Sequence, residues 1–297
     1  MHWPSIFLYM SSSFMIVIFN KILLSHFEFP SIPYLMFWQS VVSSFFFASK
    51  SPEKPNLTVL LAATANTVNI FFGLNAASGL NVAMFTALRR ISILMTMVLQ
   101  WYLLKSSPKK LQIISIITMV AGSFLAAAND LAFNAHGYIF VMLNNVMTAL
   151  SQIITKKALG SKSKECLLLY SAMMGICVSS VGSFQFRPEK WSGWYNNGFR
   201  LAFVGSILLG LVINWAATWV IEKNDALTLA VAGSTKSAVM GLVVCMGLFD
   251  STYIFSWPNF IGLQISTVAS FMYVYSKRPP SACAKPRPPI TSKVDLV

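Results

Sequence analysis

Four basic residues stand inside otherwise apolar stretches of this chain: Lys21, Arg89, Arg90 and Lys236. The nine acids, from Glu28 to Asp295, fall instead in polar connections, at segment ends or in the C-terminal tail. A cation buried at membrane depth costs about 2.5–3.5 kcal/mol even on the lenient insertion scale, and no carboxylate shares these stretches to offset it. The chemistry on offer is capture of an anion. Lys236 is the strongest of the four: it lies near the middle of its stretch, with Thr228, Ala232 and Val239 on its face at helical spacing, too deep to reach an interface easily. Arg89 and Arg90 are adjacent and point about 100° apart on a helix, so one of the two is expected to face a cavity. Lys21 is close to a segment end, where a long side chain reaches water readily.

A cation binds any anion, so selectivity rests on uncharged polar groups. Asn144, Thr148, Ser151 or Gln152, and Thr155 recur at steps of three and four and form one polar stripe on a helix. Lipid cannot satisfy such groups, so the stripe must face water or other helices, and adhesion between helices is the competing reading. Asn66, Asn69 and Gly73, and Asn214 with Thr218, make shorter versions. Tyr170 offers a ring on which a base could stack, although an aromatic of the core or the interface is the commoner role. Gly233-Ser234-Thr235-Lys236-Ser237 looks like the end of a phosphate-binding loop, but Thr235 occupies the required glycine position and no soluble strand precedes it. With no nucleophile elbow, HExxH or paired carboxylates either, the pattern is not that of an enzyme.

The elements that must position these residues are long apolar segments. Of the 297 residues 56% are apolar and 10% charged, far from the roughly 25% charged of a soluble domain, and the bilayer is the expected solvent. Ten spans are predicted, at about 3–25, 31–48, 57–78, 82–104, 111–129, 137–157, 165–184, 199–221, 226–248 and 254–276, giving an all-α integral membrane fold. Residues 3–25 lack the basic region and cleavage site of a signal peptide, so they read as a retained span. The Pro- and Lys-rich residues 277–297 read as a disordered cytoplasmic tail. Cys166, Cys177, Cys245 and Cys283 show neither CxxC spacing nor a close His, so no disulfide framework or metal site is expected.

The net charge of +13 is distributed by side rather than in one stripe, which argues against nucleic acid as a partner. Loops 49–56, 105–110, 156–164 and 222–225 with the tail hold fifteen Lys and Arg, while Arg187, Lys190 and Arg200 are the three on the other side. Both termini are therefore expected in the cytoplasm. The sequon Asn56-Leu57-Thr58 lies on the same side and should carry no glycan. Ten spans divide into five and five near Asp130 to His136, with residues 1–130 and 131–276 as oppositely oriented repeats, the plan of many carriers that bind substrate between repeats.

The runs Phe19-Asn20-Lys21-Ile22-Leu23-Leu24 and Met84-Phe85-Thr86-Ala87-Leu88-Arg89-Arg90 resemble the nucleotide-sugar transporters. So does Asp130-Leu131-Ala132-Phe133-Asn134 with Gly137-Tyr138-Ile139-Phe140-Val141, the branch for UDP-glucuronate, UDP-N-acetylgalactosamine and related UDP-sugars being the most similar. Thr155-Lys156-Lys157 and Gly233-Ser234-Thr235-Lys236 match in position. The resemblance implies a ten-helix drug/metabolite transporter fold, Golgi or endoplasmic reticulum residence, and exchange of a cytosolic nucleotide-sugar for lumenal nucleoside monophosphate. It further implies that Gly233, Ser234, Thr235 and Lys236 line the nucleotide site, with Arg89 or Arg90 and Lys156 near the phosphates and Asn20 and Lys21 in the first matching run. Two departures stand out. The GDP-mannose branch has Gly-Ala-Leu-Asn-Lys where this chain has Gly233 to Ser237, and the Phe-Tyr-Asn motif reads Leu169-Tyr170-Ser171.

The sequence therefore predicts a UDP-sugar/UMP exchanger in the Golgi membrane, needing no cofactor and working in the bilayer as a monomer or homodimer. Its rivals are a carrier of another phosphorylated anion, of GDP-mannose or triose-phosphate type, and a transport-dead membrane scaffold or chaperone.

Overall fold

The computed structural model describes residues 1–50, 53–79, 88–127, 135–187, 191–245 and 257–277; within the helices, the side chains of Lys21 and Lys236 lie outside the described residues. So do the join around Asp130 to Asn134 and the tail from Arg278. The described residues contain ten long α-helices and no strand: α1 Trp3–Lys21, α2 Ile32–Ala48, α3 Leu57–Gly79, α4 Ile91–Leu104, α5 Lys110–Ala127, α6 Ala135–Leu159, α7 Lys164–Ser183, α8 Asn197–Lys223, α9 Ala226–Cys245 and α10 Trp257–Ser276. Four of them, α1, α6, α7 and α8, are long and apolar enough to cross a membrane, and the remaining six contribute shorter apolar stretches.

Polar connections start the helices where the sequence changes character. The Ser31 hydroxyl accepts from the Tyr34 amide ahead of α2, the Asn56 carbonyl oxygen from Val59 ahead of α3, the Ser163 hydroxyl from Cys166 ahead of α7, and the Asp225 carboxylate from Thr228 ahead of α9. Each satisfies an amide that the first turn leaves unpaired. Lys105, at φ 52°, ends α4 in the left-handed conformation.

The principal pairings are α3 with α6, α5 with α10, α2 with α7, α1 with α8, α3 with α7, α4 with α6, α9 with α10, α2 with α8, α4 with α9, and α1 with α9. All of these but α9 with α10 map onto one another when the first five helices are exchanged for the last five, in order. Small residues permit the closest crossings. A Cβ on Gly182 of α7 would meet Pro33 of α2 at 2.8 Å, and one on Gly122 of α5 would meet the Gly262 carbonyl of α10 at 2.8 Å.

The two ends of the bundle differ in chemistry. At one end the connections are stitched by polar contacts: Asn56 donates to Ser161, the His2 amide to Asn224, Lys109 to the Ser276 carbonyl, and Lys162 and Lys164 pair with Glu53 and Glu222 at 3.5 and 3.6 Å. Lys277 pairs with Asp225 and also donates to Thr228 at 2.6 Å. At the other end Phe27, Phe29, Tyr34, Phe186, Trp191, Trp194, Phe199 and Phe203 pack ring against ring. The described basic loops of the sequence thus meet at one end.

Two boundaries differ from expectation. Lys156 and Lys157 belong to the last turn of α6 rather than to a loop, because Lys156 reaches across to the end of α8. Arg90 stands in a turn that interrupts the helical run just ahead of α4, not two turns within a continuous span.

Candidate functional site

A cavity of about 530 Å³ opens between α2, α3, α6, α7 and α8, touched by Ile16 of α1 and Leu229 of α9. Its size is that of a pocket for a small organic ligand. Polar groups enter from every wall: Gln39, Ser40 and Ser43 from α2, Asn66, Thr67 and Asn69 from α3, Thr148, Ser151, Gln152 and Thr155 from α6, Ser171 and Ser179 from α7, and Asn214 and Thr218 from α8. Aliphatic side chains fill the spaces between them. Among the described residues, none that lines the cavity is charged.

The polar stripe of α6 divides between two tasks. Asn144, 2% exposed, donates from Nδ2 to the Asn69 backbone oxygen at 2.7 Å and to Asn69 Oδ1 at 2.8 Å, so it fastens α6 to α3. One turn on, Thr148 donates to the same Oδ1 at 2.6 Å and also borders the cavity, as do Ser151, Gln152 and Thr155. A second bracket joins α1, α2 and α8: Ser206 donates to Asn20 Oδ1 at 2.7 Å, and Gln39 Nε2 donates to the Ser206 carbonyl and hydroxyl, both at 3.2 Å.

The cations occupy separate places. Arg90 is buried and donates from Nη1 to Ser123 Oγ of α5 at 2.8 Å. Arg89 is accessible yet closely surrounded by protein, with the Tyr9 hydroxyl of α1 its electrostatic partner and that hydroxyl bonded to Ser13. Gly233 of α9 comes close to the same Tyr9, since a Cβ on it would lie 3.3 Å from the hydroxyl. Ser234 is buried with its hydroxyl unpartnered, while Thr235 donates back to the Val231 carbonyl at 2.9 Å. Lys156 uses its ammonium on three backbone carbonyls at the end of α8, those of Ile221, Glu222 and Asn224, at 2.7, 3.0 and 2.9 Å. Tyr170 packs half-buried beside Val59, Ala62 and Leu167, and its neighbour Ser171 borders the cavity. Arg89, Gly233 and Ser234 thus gather between α1 and α9; Thr148, Thr155 and Ser171 gather in the cavity; Arg90 and Lys156 stand apart from both.

The α2 wall of the cavity was absent from the expected site. Its signal is a spacing: Met36, Gln39, Ser40, Ser43 and Phe47, at steps of three, one, three and four, occupy one helical face.

An apolar helical bundle around a cavity where polar groups alternate with aliphatic ones suits a membrane transporter. The chain belongs to the Triose-phosphate Transporter family, within the drug/metabolite transporter superfamily, which it matches over residues 5–274. It is 32% identical to the UDP-sugar transporter UST74c of Drosophila melanogaster over 89% of this chain and 74% of that one. It is also 32% identical to the UDP-sugar transporter sqv-7 of Caenorhabditis elegans, over 96% and 92%, and to the human nucleotide sugar transporter SLC35D2, over 94% and 87%. A solved crystal structure shares the fold at a TM-score of 0.69 and 12% identity, covering 93% of this chain and 98% of its own.

Proposed function

We propose that this protein is a nucleotide-sugar transporter that exchanges a cytosolic UDP-sugar for lumenal UMP. The observation that carries the reading is the 32% identity, along nearly the whole chain, to proteins named as UDP-sugar transporters, joined to a cavity of about 530 Å³ that polar groups enter from every wall. That all but one of the principal helix pairings survive exchange of the two halves supports alternating access by residues 1–130 against 131–276. Exchange rather than one-way flow is what the resemblance implies. The gathering of basic loops at one end supports a cytoplasmic placement of both termini, and the Golgi membrane is the residence that the resemblance implies.

The test is a screen of labelled nucleotide-sugars against internal UMP or GMP in proteoliposomes of the purified chain. Uptake of a UDP-sugar that depends on internal UMP is the expected result; uptake of triose phosphate or GDP-mannose in its place would overturn it. Lys236→Ala should abolish exchange while leaving a folded, monodisperse protein, and near-normal uptake by that variant would remove Lys236 from the site.

A further inference from the structure

The cavity presents no charge from its described walls, and two of the residues that line it carry a buried side-chain atom with no hydrogen-bond partner: Ser43 Oγ on α2, in a residue 5% exposed, and Gln152 Oε1 on α6. A buried hydroxyl or amide oxygen left without a hydrogen bond is costly, so a site that keeps two of them is shaped for a ligand that completes them. On the α6 wall the Asn144 Nδ2 and the Thr148 hydroxyl already have partners, although Asn144 Oδ1 is also without one. Asn144 and Thr148 are both engaged with Asn69, which fixes the rotation of α6, and Gln152 follows Thr148 by four residues on the face so fixed.

A diphosphate would be poorly served among amides, hydroxyls and aliphatic carbons, since a buried anion requires paired charge. The uncharged end of a nucleotide-sugar suits that lining. Of the two ends of a UDP-hexose, the hexose carries hydroxyls around its whole rim, each needing a partner. Uracil has two flat faces that tolerate aliphatic neighbours such as Leu168, Val178 and Ile213, and a single edge ordered acceptor, donor, acceptor. A primary amide places one acceptor beside one donor, the complement of N3–H and an adjoining carbonyl. Ser43, on another wall, can donate to the remaining carbonyl.

We propose that Gln152 and Ser43 read the imide edge of the uracil base, so that base recognition in this protein is lodged between α2 and α6, with the diphosphate directed toward the Arg89 and Gly233 region. This rests on the UDP-sugar reading above, and the experiment separates the two. Exchange is measured in proteoliposomes with UMP and with UMP methylated at N3, which lacks the donor that Gln152 would receive. Wild-type protein should be inhibited by UMP roughly tenfold or more better than by the N3-methyl compound, as expected for one or two lost hydrogen bonds at a buried site. Equal inhibition by the two would overturn the proposal without any variant having to fold.

Gln152→Leu should weaken UMP and UDP-sugar by the same factor and bring the preference for UMP over its N3-methyl form close to one. Ser43→Ala, a smaller change, should weaken both ligands by a lesser factor. A variant that loses UDP-sugar affinity but keeps that for UMP would assign Gln152 to the sugar and overturn the base assignment. Absence of any uridine-nucleotide exchange by wild-type protein is a different failure, that of the transport reading itself.

Discussion

The Arg90 guanidinium rests on the Ser123 hydroxyl, which itself donates to the Met119 carbonyl at 2.7 Å, so a charge placed in an apolar segment has a local acceptor. Ser123→Ala removes that acceptor and should destabilise the protein by about 1–3 kcal/mol, seen as a lower melting temperature in detergent, with KM for exchange unchanged. A rise in KM at unaltered stability would instead make Arg90 a substrate contact. Asp225 is a second residue with a defined electrostatic state. Burial alone would raise its carboxyl, but the Lys277 ammonium and the hydrogen bonds from Lys277 and Thr228 outweigh burial and hold it below the ordinary carboxylate value. A group depressed on folding contributes stability above its unfolded value of about 3.9 and loses it only as pH falls through the lower folded value. Melting temperature should therefore stay flat between pH 5 and 8 in the wild type. Asp225→Asn should lower it throughout that range, and a steep loss near pH 6 in the wild type would contradict the assignment.

At the scale of elements, α6 and α8 are joined through one side chain. Lys156 covers three carbonyls where the backbone of α8 runs out of its own donors, and a cation there also favours the negative end of the helix. Lys156→Met keeps the aliphatic stem and should cost about 1–2 kcal/mol of stability with little change in substrate affinity; a large rise in KM with normal melting would restore the phosphate role that the resemblance implies. What the sequence disclosed, and what it withheld, follows from the same distinction between local and distant partners. Apolar length placed all ten helices to within a few residues, except around Arg90, because hydropathy is a local property. The three-and-four spacing on α6 marked Thr148, Thr155 and Gln152 as a shared face. The partner of Asn144 lies 75 residues upstream and the carbonyls held by Lys156 lie about 65 downstream, so neither role could be read from a neighbourhood. Gln39, Ser40 and Ser43 escaped notice because serines in membrane helices often bond their own backbone, and only the crossing of α2 with α7 turns that face into a wall.

For the whole molecule, the grouping of basic connections at one end makes a topological prediction. Asn56 caps α3 and donates to Ser161 at that end, so it should remain unglycosylated in a microsomal membrane. Lys190→Asn, which completes an acceptor sequon with Trp191 and Ser192 in the opposite connection, should add a glycan visible as a gel shift. A glycan on Asn56 instead would invert the orientation. The contrast between the two ends bears on how the protein is fastened. One end is held by hydrogen bonds and by ion pairs that weaken as salt screens them, the other by aromatic rings whose cohesion is not screened by salt and declines on cooling. Ionic strength and temperature should therefore act as two separate handles, each loosening a different end of the bundle.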